Sequence, residues 1–184
     1  MAVGFPESRN CVLVVVDVQE RLCPAMSSFE DALAAMRRAL QVAGILGVDT
    51  VITEQYPRGL GPTIPAIHEV VPSSVPVLTK TSFSCWGADG FQAALEKRGA
   101  KALVLVGMET HVCVQQTALE AIERGYEVVL LADAVCSRRP QDRECALDLM
   151  RVQGVGVTTS EALVFSWLGD AKHPCFKAVS AVVK

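Results

Sequence analysis

The sequence predicts an α/β protein, folded as a three-layer α/β/α sandwich around a central parallel sheet of six strands. Three observations support this prediction. Short apolar runs rich in valine and leucine recur along the chain, as strands buried on both faces require. Between them, apolar residues repeat at helical spacing, and this alternation favours parallel strands joined by crossover helices. The length of 184 residues suits one domain, which we assign to residues 1–184.

Strand and helix signals alternate from the first apolar run to the end of the chain. Strands are predicted at residues 11–16, 48–53, 75–79, 103–106, 127–132 and 155–159. Helices are predicted at residues 29–46, 66–70, 90–98, 112–124, 140–152 and 160–168, with a further helix in the tail 173–184. The expected helix-capping residues are Ser27-Ser28, Thr110 and Ser160, and Gly125 is an expected stop signal.

Composition and charge argue against several classes of protein. The net charge is −3 with no long block of either sign, so a nucleic-acid partner is not expected. No apolar run approaches the ~18 residues of a membrane span, so no membrane partner is expected either. The first ten residues lack a signal-peptide pattern and the seven cysteines are scattered. We therefore expect a cytoplasmic protein with free thiols.

Motifs of several common enzyme sites are missing. No G-x-G-x-x-G follows a strand, and neither G-x-x-x-x-G-K-[ST] nor G-x-S-x-G occurs. The acidic and histidine residues show no metal-site spacing. The sequence therefore predicts no cofactor and no metal.

Cys113 follows the predicted strand 103–106 and lies where the next helix begins. Backbone N–H groups and the helix dipole favour a thiolate at that place, and the thiolate is the nucleophilic form of cysteine. The alternative is a small core residue, the usual role of a cysteine among apolar neighbours. We take that alternative for the other six cysteines.

Asp17 and Lys80 come at the ends of two other predicted strands. Because the carboxyl ends of parallel strands meet at one edge of a sheet, Asp17, Lys80 and Cys113 are expected to lie together. A carboxylate can take the thiol proton, and an ammonium can stabilise the developing charges. Alone, Asp17 would be read as a turn or cap residue and Lys80 as a surface lysine. The loop after the second strand holds Tyr56 and Arg58, for which a ligand-facing and a surface role are equally favoured.

These motifs, in this order, resemble the isochorismatase-like cysteine hydrolase family. The resemblance rests on D-x-Q at Asp17 and Gln19, the strand ending at Lys80, and G-x-x-T-x-x-C-V-x-x-T-A at Gly107, Thr110, Cys113, Val114, Thr117 and Ala118. It covers residues 11–165. The segments TEQYPRGLGPT and HPCFK resemble the isochorismatase domain-containing protein 2 branch of that family. The fold implied is the family's own, with Rossmann-like topology.

The resemblance implies roles for the site residues. Cys113 would be the nucleophile, Asp17 the general base and Lys80 the electrostatic partner. A cis peptide would join Met108 and Glu109, and the backbone N–H groups of Glu109 and Cys113 would form the oxyanion hole. We assign three further residues to the substrate pocket: Gln19, Tyr56 and Phe83.

The metal-ligand pattern of the family's nicotinamidases is missing here. Those enzymes carry Asp-x-His near the second strand, where this chain has Glu54, Gln55 and Tyr56. We therefore expect a metal-independent cysteine hydrolase of a small amide or related metabolite. The alternatives are a catalytically idle oligomeric binding or scaffold protein, and a flavodoxin-like cofactor binder, for which the loops offer no support. A homo-oligomer is expected because the apolar content and the tail suggest a covered surface.

Overall fold

The computed structural model describes residues 4–184. Within them, six strands form one all-parallel sheet in the order β3-β2-β1-β4-β5-β6. The strands are β1 (Cys11–Val16), β2 (Asp49–Gln55), β3 (Val77–Lys80), β4 (Ala102–Met108), β5 (Glu127–Cys136) and β6 (Gly156–Thr158). The predicted fold class, a parallel six-stranded sheet flanked by helices, is confirmed.

Helices cover both faces of the sheet. They are α1 (Phe29–Leu46), α2 (Pro57–Leu60), α3 (Pro65–His68), α4 (Phe91–Glu96), α5 (Gln115–Glu123), α6 (Pro140–Val152), α7 (Ser160–Leu168) and α8 (Phe176–Val183). A single π-helical turn, Thr110–Val114, precedes α5. Among the described helices, none is long and apolar enough to cross a membrane.

The side chains of β1 show why its sequence is apolar throughout. Every residue of the strand is buried. Leu13 and Val15 point into a core formed with α1, whereas Val14 and Val16 point into a second core formed with α4, α5 and α6. A strand covered by helices on both faces has no solvent side, so its hydrophobic pattern cannot alternate.

The sheet order reverses direction between β1 and β4. From β1 the chain winds outward to β2 and β3, then returns to β4 and winds the other way. The loops that leave the carboxyl ends of β1 and β4 therefore diverge to opposite faces and leave a crevice between them. Ligand sites of open α/β sheets lie at such switch points, and Asp17 and Cys113 lie on the two sides of this one.

Most strand ends lie one or two residues from the prediction, and the carboxyl end of β5 lies further away. β5 continues past residue 132 to Cys136 through an irregularity in its pairing with β4, so Asp133 does not end the strand. Its carboxylate instead accepts hydrogen bonds from Ser160 N and Oγ at 2.7 and 2.6 Å, which ties β5 to α7. β4 likewise continues past residue 106, through Gly107, to Met108.

The predicted helix caps differ from the structure in their side-chain contacts. Ser28 is the N-cap residue of α1, as predicted, but its side chain makes no capping hydrogen bond. At α7 the cap is Thr159, whose hydroxyl accepts from Ala162 N, because Ser160 is engaged by Asp133. Thr110 lies inside the π turn, and its buried hydroxyl has no hydrogen-bond partner among residues 4–184.

The seven cysteines are all free thiols. Cys11, Cys23, Cys85 and Cys136 are buried core residues, as predicted. The same prediction is wrong for Cys145, which is exposed on α6, and Cys175 is only partly buried.

Candidate active site

Asp17 is the first residue after β1, and the sheet fixes its direction. Its backbone adopts φ 53°, a left-handed conformation that is uncommon for a residue other than glycine. Its N–H donates to Thr53 O on the neighbouring strand at 3.1 Å. The carboxylate is fully buried, and its Oδ1 accepts a hydrogen bond from Thr53 Oγ1 at 2.9 Å.

Lys80 is the last residue of β3, two strands away from Asp17. Its Nζ lies 2.6 Å from Asp17 Oδ2, and both side chains are completely shielded from solvent. The ammonium has three further acceptors: Gln55 Oε1 at 2.8 Å, Phe83 O at 2.9 Å and Ser82 O at 3.3 Å. Because an unpaired buried charge is costly, this full set of acceptors is what permits a lysine here.

Cys113 lies in the π turn after β4 and is only 6% exposed. The Asp17 carboxylate and the Lys80 ammonium lie near enough to its thiol for their charges to shift the pKa of that thiol. The carbonyl of Cys113 accepts a hydrogen bond from Thr117 Oγ1 at 2.7 Å, and the same hydroxyl accepts from Cys85 N at 2.9 Å. The structure thus brings Asp17, Lys80 and Cys113 together, as the strand ends indicated.

The protonation of Cys113 differs from the expectation. Burial, followed by the charge of Asp17, raises the pKa of the thiol well above its ordinary value, and Lys80 only partly opposes the rise. The expected lowering of the thiol pKa at a helix start is therefore wrong. Cys113 lies beside a carboxylate in a dry site, so at neutral pH it is a thiol.

The pKa of Asp17 is also raised above its ordinary value. Burial is the main cause, and the Lys80 ammonium, with hydrogen bonds from Lys80, Cys113 and Thr53, opposes it. A carboxylate with a raised pKa is a better proton acceptor than an ordinary one. The pair is therefore a neutral thiol beside a strengthened base, rather than a preformed thiolate.

The three residues assigned to the substrate pocket lie in different surroundings. Gln19 is fully buried, and its amide contacts the backbone of Gln55 and Gly61. Tyr56 is 54% exposed and lines a cavity of about 410 Å³ together with Lys80 and Arg58. Phe83 is also 54% exposed, and its carbonyl contacts Lys80. Tyr56 and Phe83 thus flank Lys80, whereas the polar atoms of the Gln19 side chain form hydrogen bonds with the protein backbone.

The peptide bond between Met108 and Glu109 is cis, which confirms that expectation. The Glu109 carboxylate points toward the end of β5, where Oε2 accepts from Arg138 N at 3.1 Å and from Arg138 Nε at 3.0 Å. In the turns and loops of residues 4–184, no backbone carbonyl accepts a hydrogen bond from the Glu109 N–H.

Sequence reasoning missed two residues that contact the charged pair, Thr53 and Gln55. Both lie at the carboxyl end of β2, between the strands that present Asp17 and Lys80. Their position at the carboxyl edge of the sheet, where Asp17 and Lys80 were expected, was the signal that could have identified them. It was overlooked because a threonine and a glutamine at a strand end have no catalytic signature by themselves.

The residues that replace the nicotinamidase metal pattern have other partners. Gln55 contacts Lys80, and Glu54 Oε1 accepts hydrogen bonds from Thr63 N and Oγ1 at 2.7 and 2.8 Å. Among the residues that the structure describes, no group of three or more His, Cys, Asp and Glu side chains is placed to hold a metal ion.

Fold and site together define a class: a parallel α/β sandwich with a buried aspartate, lysine and cysteine at the carboxyl edge of its sheet. Comparison with known families gives the assignment. The isochorismatase domain matches residues 11–162, and the chain belongs to the isochorismatase family. Members of this family are typically hydrolases. The family resemblance found in the motifs is confirmed.

Relatives of two branches match along most of the chain. Isochorismatase domain-containing protein 1 of Salmo salar is 42% identical over 173 residues, which cover 94% of this chain and 60% of that protein. The chain thus spans about 60% of the length of that relative. Isochorismatase domain-containing protein 2 of Bos taurus is 40% identical over 184 residues, covering 100% of this chain and 87% of that protein.

A solved structure, that of MAR1 ribonuclease from Caenorhabditis elegans, has the same fold. It is 37% identical to this chain and superimposes with a TM-score of 0.92. The match covers 97% of this chain and 91% of that one.

Proposed function

We propose that the protein is a cysteine-dependent hydrolase of a small amide or related metabolite. The observation that supports this most strongly is the fully buried Asp17–Lys80 pair, with Nζ 2.6 Å from Oδ2, whose charges act on the nearby Cys113 thiol. Folding alone does not call for a buried ion pair, because apolar side chains of similar volume are often at least as stable. In this arrangement the Asp17 carboxylate can accept the proton of the nearby Cys113 thiol.

In the first step, Asp17 takes the proton of the Cys113 thiol as Sγ attacks the carbonyl carbon of the substrate. Proton transfer is part of the attack, since both pKa values are raised and the resting site holds a thiol. The N–H groups of Glu109 and Cys113 would receive the oxyanion. Collapse of the tetrahedral species breaks the carbon–nitrogen bond, and Asp17 returns its proton to the leaving amine.

In the second step, water attacks the thioester while Asp17 accepts a proton from it. The carbon–sulfur bond breaks, the carboxylic acid leaves, and the proton returns from Asp17 to Cys113. The Lys80 ammonium, 2.6 Å from Oδ2, stabilises the ionised carboxylate of Asp17 between proton transfers. No step requires a metal or a cofactor.

Acylation by p-nitrophenyl acetate, a small activated acyl donor, tests this proposal while the natural substrate is unidentified. Wild-type protein should release p-nitrophenolate and carry an acetyl group on Cys113, detected by peptide mass spectrometry. Cys113→Ala should lose both signals, whereas Cys145→Ala, which removes an exposed thiol, should keep both. Equal turnover by Cys113→Ala and wild type would contradict the proposal. A panel of short aliphatic and heteroaromatic amides, assayed for amine release, then defines the substrate class.

The Caenorhabditis elegans relative supplies a second candidate, since that structure is described as a ribonuclease. The net charge of −3 offers no broad attraction for a polyanion. A single-stranded RNA oligonucleotide added to the same variants separates the two candidates. RNA cleavage that is lost in Cys113→Ala would favour phosphodiester chemistry at this site, whereas cleavage that persists would come from another source.

A further inference from the structure

The side chain of Gln55, at the carboxyl end of β2, joins two groups at the end of the neighbouring strand β3. Its Oε1 accepts a hydrogen bond from Lys80 Nζ at 2.8 Å, and its Nε2 donates to Thr81 O, also at 2.8 Å. The side chain is thus held at both ends. Apart from Asp17, Gln55 is the only side chain among residues 4–184 that accepts a hydrogen bond from the Lys80 ammonium.

The Lys80 ammonium is fully occupied by the protein. It has three N–H donors and four acceptors within 3.3 Å. Two of these acceptors are backbone carbonyls, one is Asp17 and one is Gln55. Lys80 therefore has no donor left for a substrate oxygen, and its effect on the reaction passes through Asp17. The orientation of Lys80 then decides how strongly the carboxylate is held ionised.

Gln19 fixes the backbone of Gln55. Gln55 N donates to Gln19 Oε1 at 2.8 Å, while Gln19 Nε2 donates to Gln55 O at 3.0 Å and to Gly61 O at 2.6 Å. Because Gln19 is only two residues from Asp17, these contacts close a ring. It runs from Asp17 to Lys80, from Lys80 to Gln55, from Gln55 to Gln19, and along the chain back to Asp17.

We propose that Gln55 is a positioning residue that holds the Lys80 ammonium on Asp17, and that a neutral side chain is required there. This inference rests on the proposed function, because it concerns how the base of that reaction is tuned. A carboxylate at position 55 would share the ammonium with Asp17. It would raise the pKa values of Asp17 and Cys113 as a neighbouring like charge, and it would lose the donor to Thr81 O.

Two substitutions separate charge from packing. Gln55→Glu adds a competing carboxylate, and Gln55→Met keeps the length while removing the acceptor. The same changes at Gln92, on the surface of α4 with side-chain contacts to Glu96 and Arg124, are the matched controls. Thermal unfolding of each variant establishes that it is folded.

Two pH-dependent rates are measured: alkylation of Cys113 by iodoacetamide and its acetylation by p-nitrophenyl acetate. The acid limb is the fall in the acetylation rate as the pH drops through the pKa of Asp17. For Gln55→Glu we expect this limb to move up by about one pH unit. At a fixed pH below the thiol pKa, we expect alkylation of Cys113 to slow about tenfold. For Gln55→Met, which releases the ammonium from its orienting acceptor, we expect acetylation to slow roughly 10- to 100-fold, with an acid limb that moves up less than in Gln55→Glu. Both Gln92 variants should match wild type.

The positioning role is overturned if Gln55→Glu and Gln55→Met slow acetylation equally with unmoved limbs, or if neither changes a rate. Should Gln55→Glu fail to fold, an unchanged acetylation rate in Gln55→Met overturns it. Failure of the proposed function has a different signature, namely no acetylation of Cys113 in wild-type protein. Even without acetylation, the alkylation rate of Cys113 still reports how Gln55 affects the pKa values of the site. Failure of the positioning role and failure of the proposed function are therefore distinguishable.

Discussion

At the scale of single residues, the proposed chemistry depends on the protonation of the Cys113 thiol. Burial and the Asp17 charge raise its pKa, and only Lys80 opposes them. Under the proposed function, the resting site therefore holds no thiolate. It holds a base, Asp17, and the thiolate would form when a substrate carbonyl is in place to receive it.

Substitution of Asp17 by Asn should separate thiol reactivity from turnover. The change removes the neighbouring negative charge and leaves Lys80 to stabilise the thiolate, so alkylation of Cys113 by iodoacetamide near pH 8 should become about tenfold faster or more. Acetyl turnover should fall at the same time because the base is gone. The exposed Cys145 serves as the internal control, with an unchanged alkylation rate. Slower alkylation of Cys113 would show that Asp17 helps to form the resting thiolate.

The pH profile of acetylation should have an acid limb set by Asp17. The base works only when it is ionised, so the rate falls as the pH drops through its pKa. Because burial raises that pKa above 3.8, the limb should lie above pH 3.8. The measurement is the initial acetylation rate against pH, with unfolding monitored at each point. A profile that stays flat down to pH 4 while the protein remains folded would contradict the assignment of Asp17 as base.

Removal of one partner from the Asp17–Lys80 pair should destabilise the fold. Lys80→Met leaves a fully buried carboxylate without its cation, and the expected loss of unfolding free energy is about 3–5 kcal/mol. The matched control is Arg151→Met, which breaks an exposed pair with Asp148 and should cost less than about 1 kcal/mol. Denaturant unfolding at pH 7 measures both. Similar losses in the two variants would mean that the buried pair contributes no more than a surface one.

At the scale of elements, the close approach of β4 to β1 places Cys113 near Asp17. Gly107 pairs with Val16 and has φ 114°. A Cβ atom at position 107 would lie 2.1 Å from Val16 O. The glycine therefore allows β4 to pack closely against β1, directly beside Asp17.

Gly107→Ala should accordingly destabilise the protein by at least about 2–3 kcal/mol, since both the backbone conformation and the neighbouring carbonyl oppose a side chain. Gly44→Ala is the matched control. It lies in α1 with open space around it, and should be neutral or stabilise the fold by up to about 1 kcal/mol. Thermal or denaturant unfolding of the two variants measures the difference. Equal stability of both would show that β4 can shift away from β1 without cost.

At the scale of the whole molecule, self-association stays a prediction. Most of the expected tail helix is present as α8, which packs against α1 and α7 with Val179 buried between them. The tail helix thus packs on the body of its own chain, and its buried face is not an exposed surface for a second copy. Exposed apolar side chains lie elsewhere, and among the large ones in residues 4–184 the most exposed is Val152, at 82%, close to Leu149 on α6.

Sedimentation velocity at micromolar concentration tests the predicted homo-oligomer. The expected result is one species with a mass that is a multiple of the single chain. A single species with the mass of one chain would contradict the prediction. In that case the apolar side chains of α6 are solvent-exposed in the working protein, which single scattered residues can be without cost.

The sequence by itself determined the layers of the fold, the edge of the sheet that carries the site, and the aspartate, lysine and cysteine that meet there. It could do so because buried strands need continuous apolar runs, and because a residue that ends such a run has a known place in a parallel sheet. Only the tertiary structure decided the protonation of Cys113 and the contacts of Thr53 and Gln55. Those depend on burial and on distances between strands that are far apart in sequence, and no local pattern encodes either.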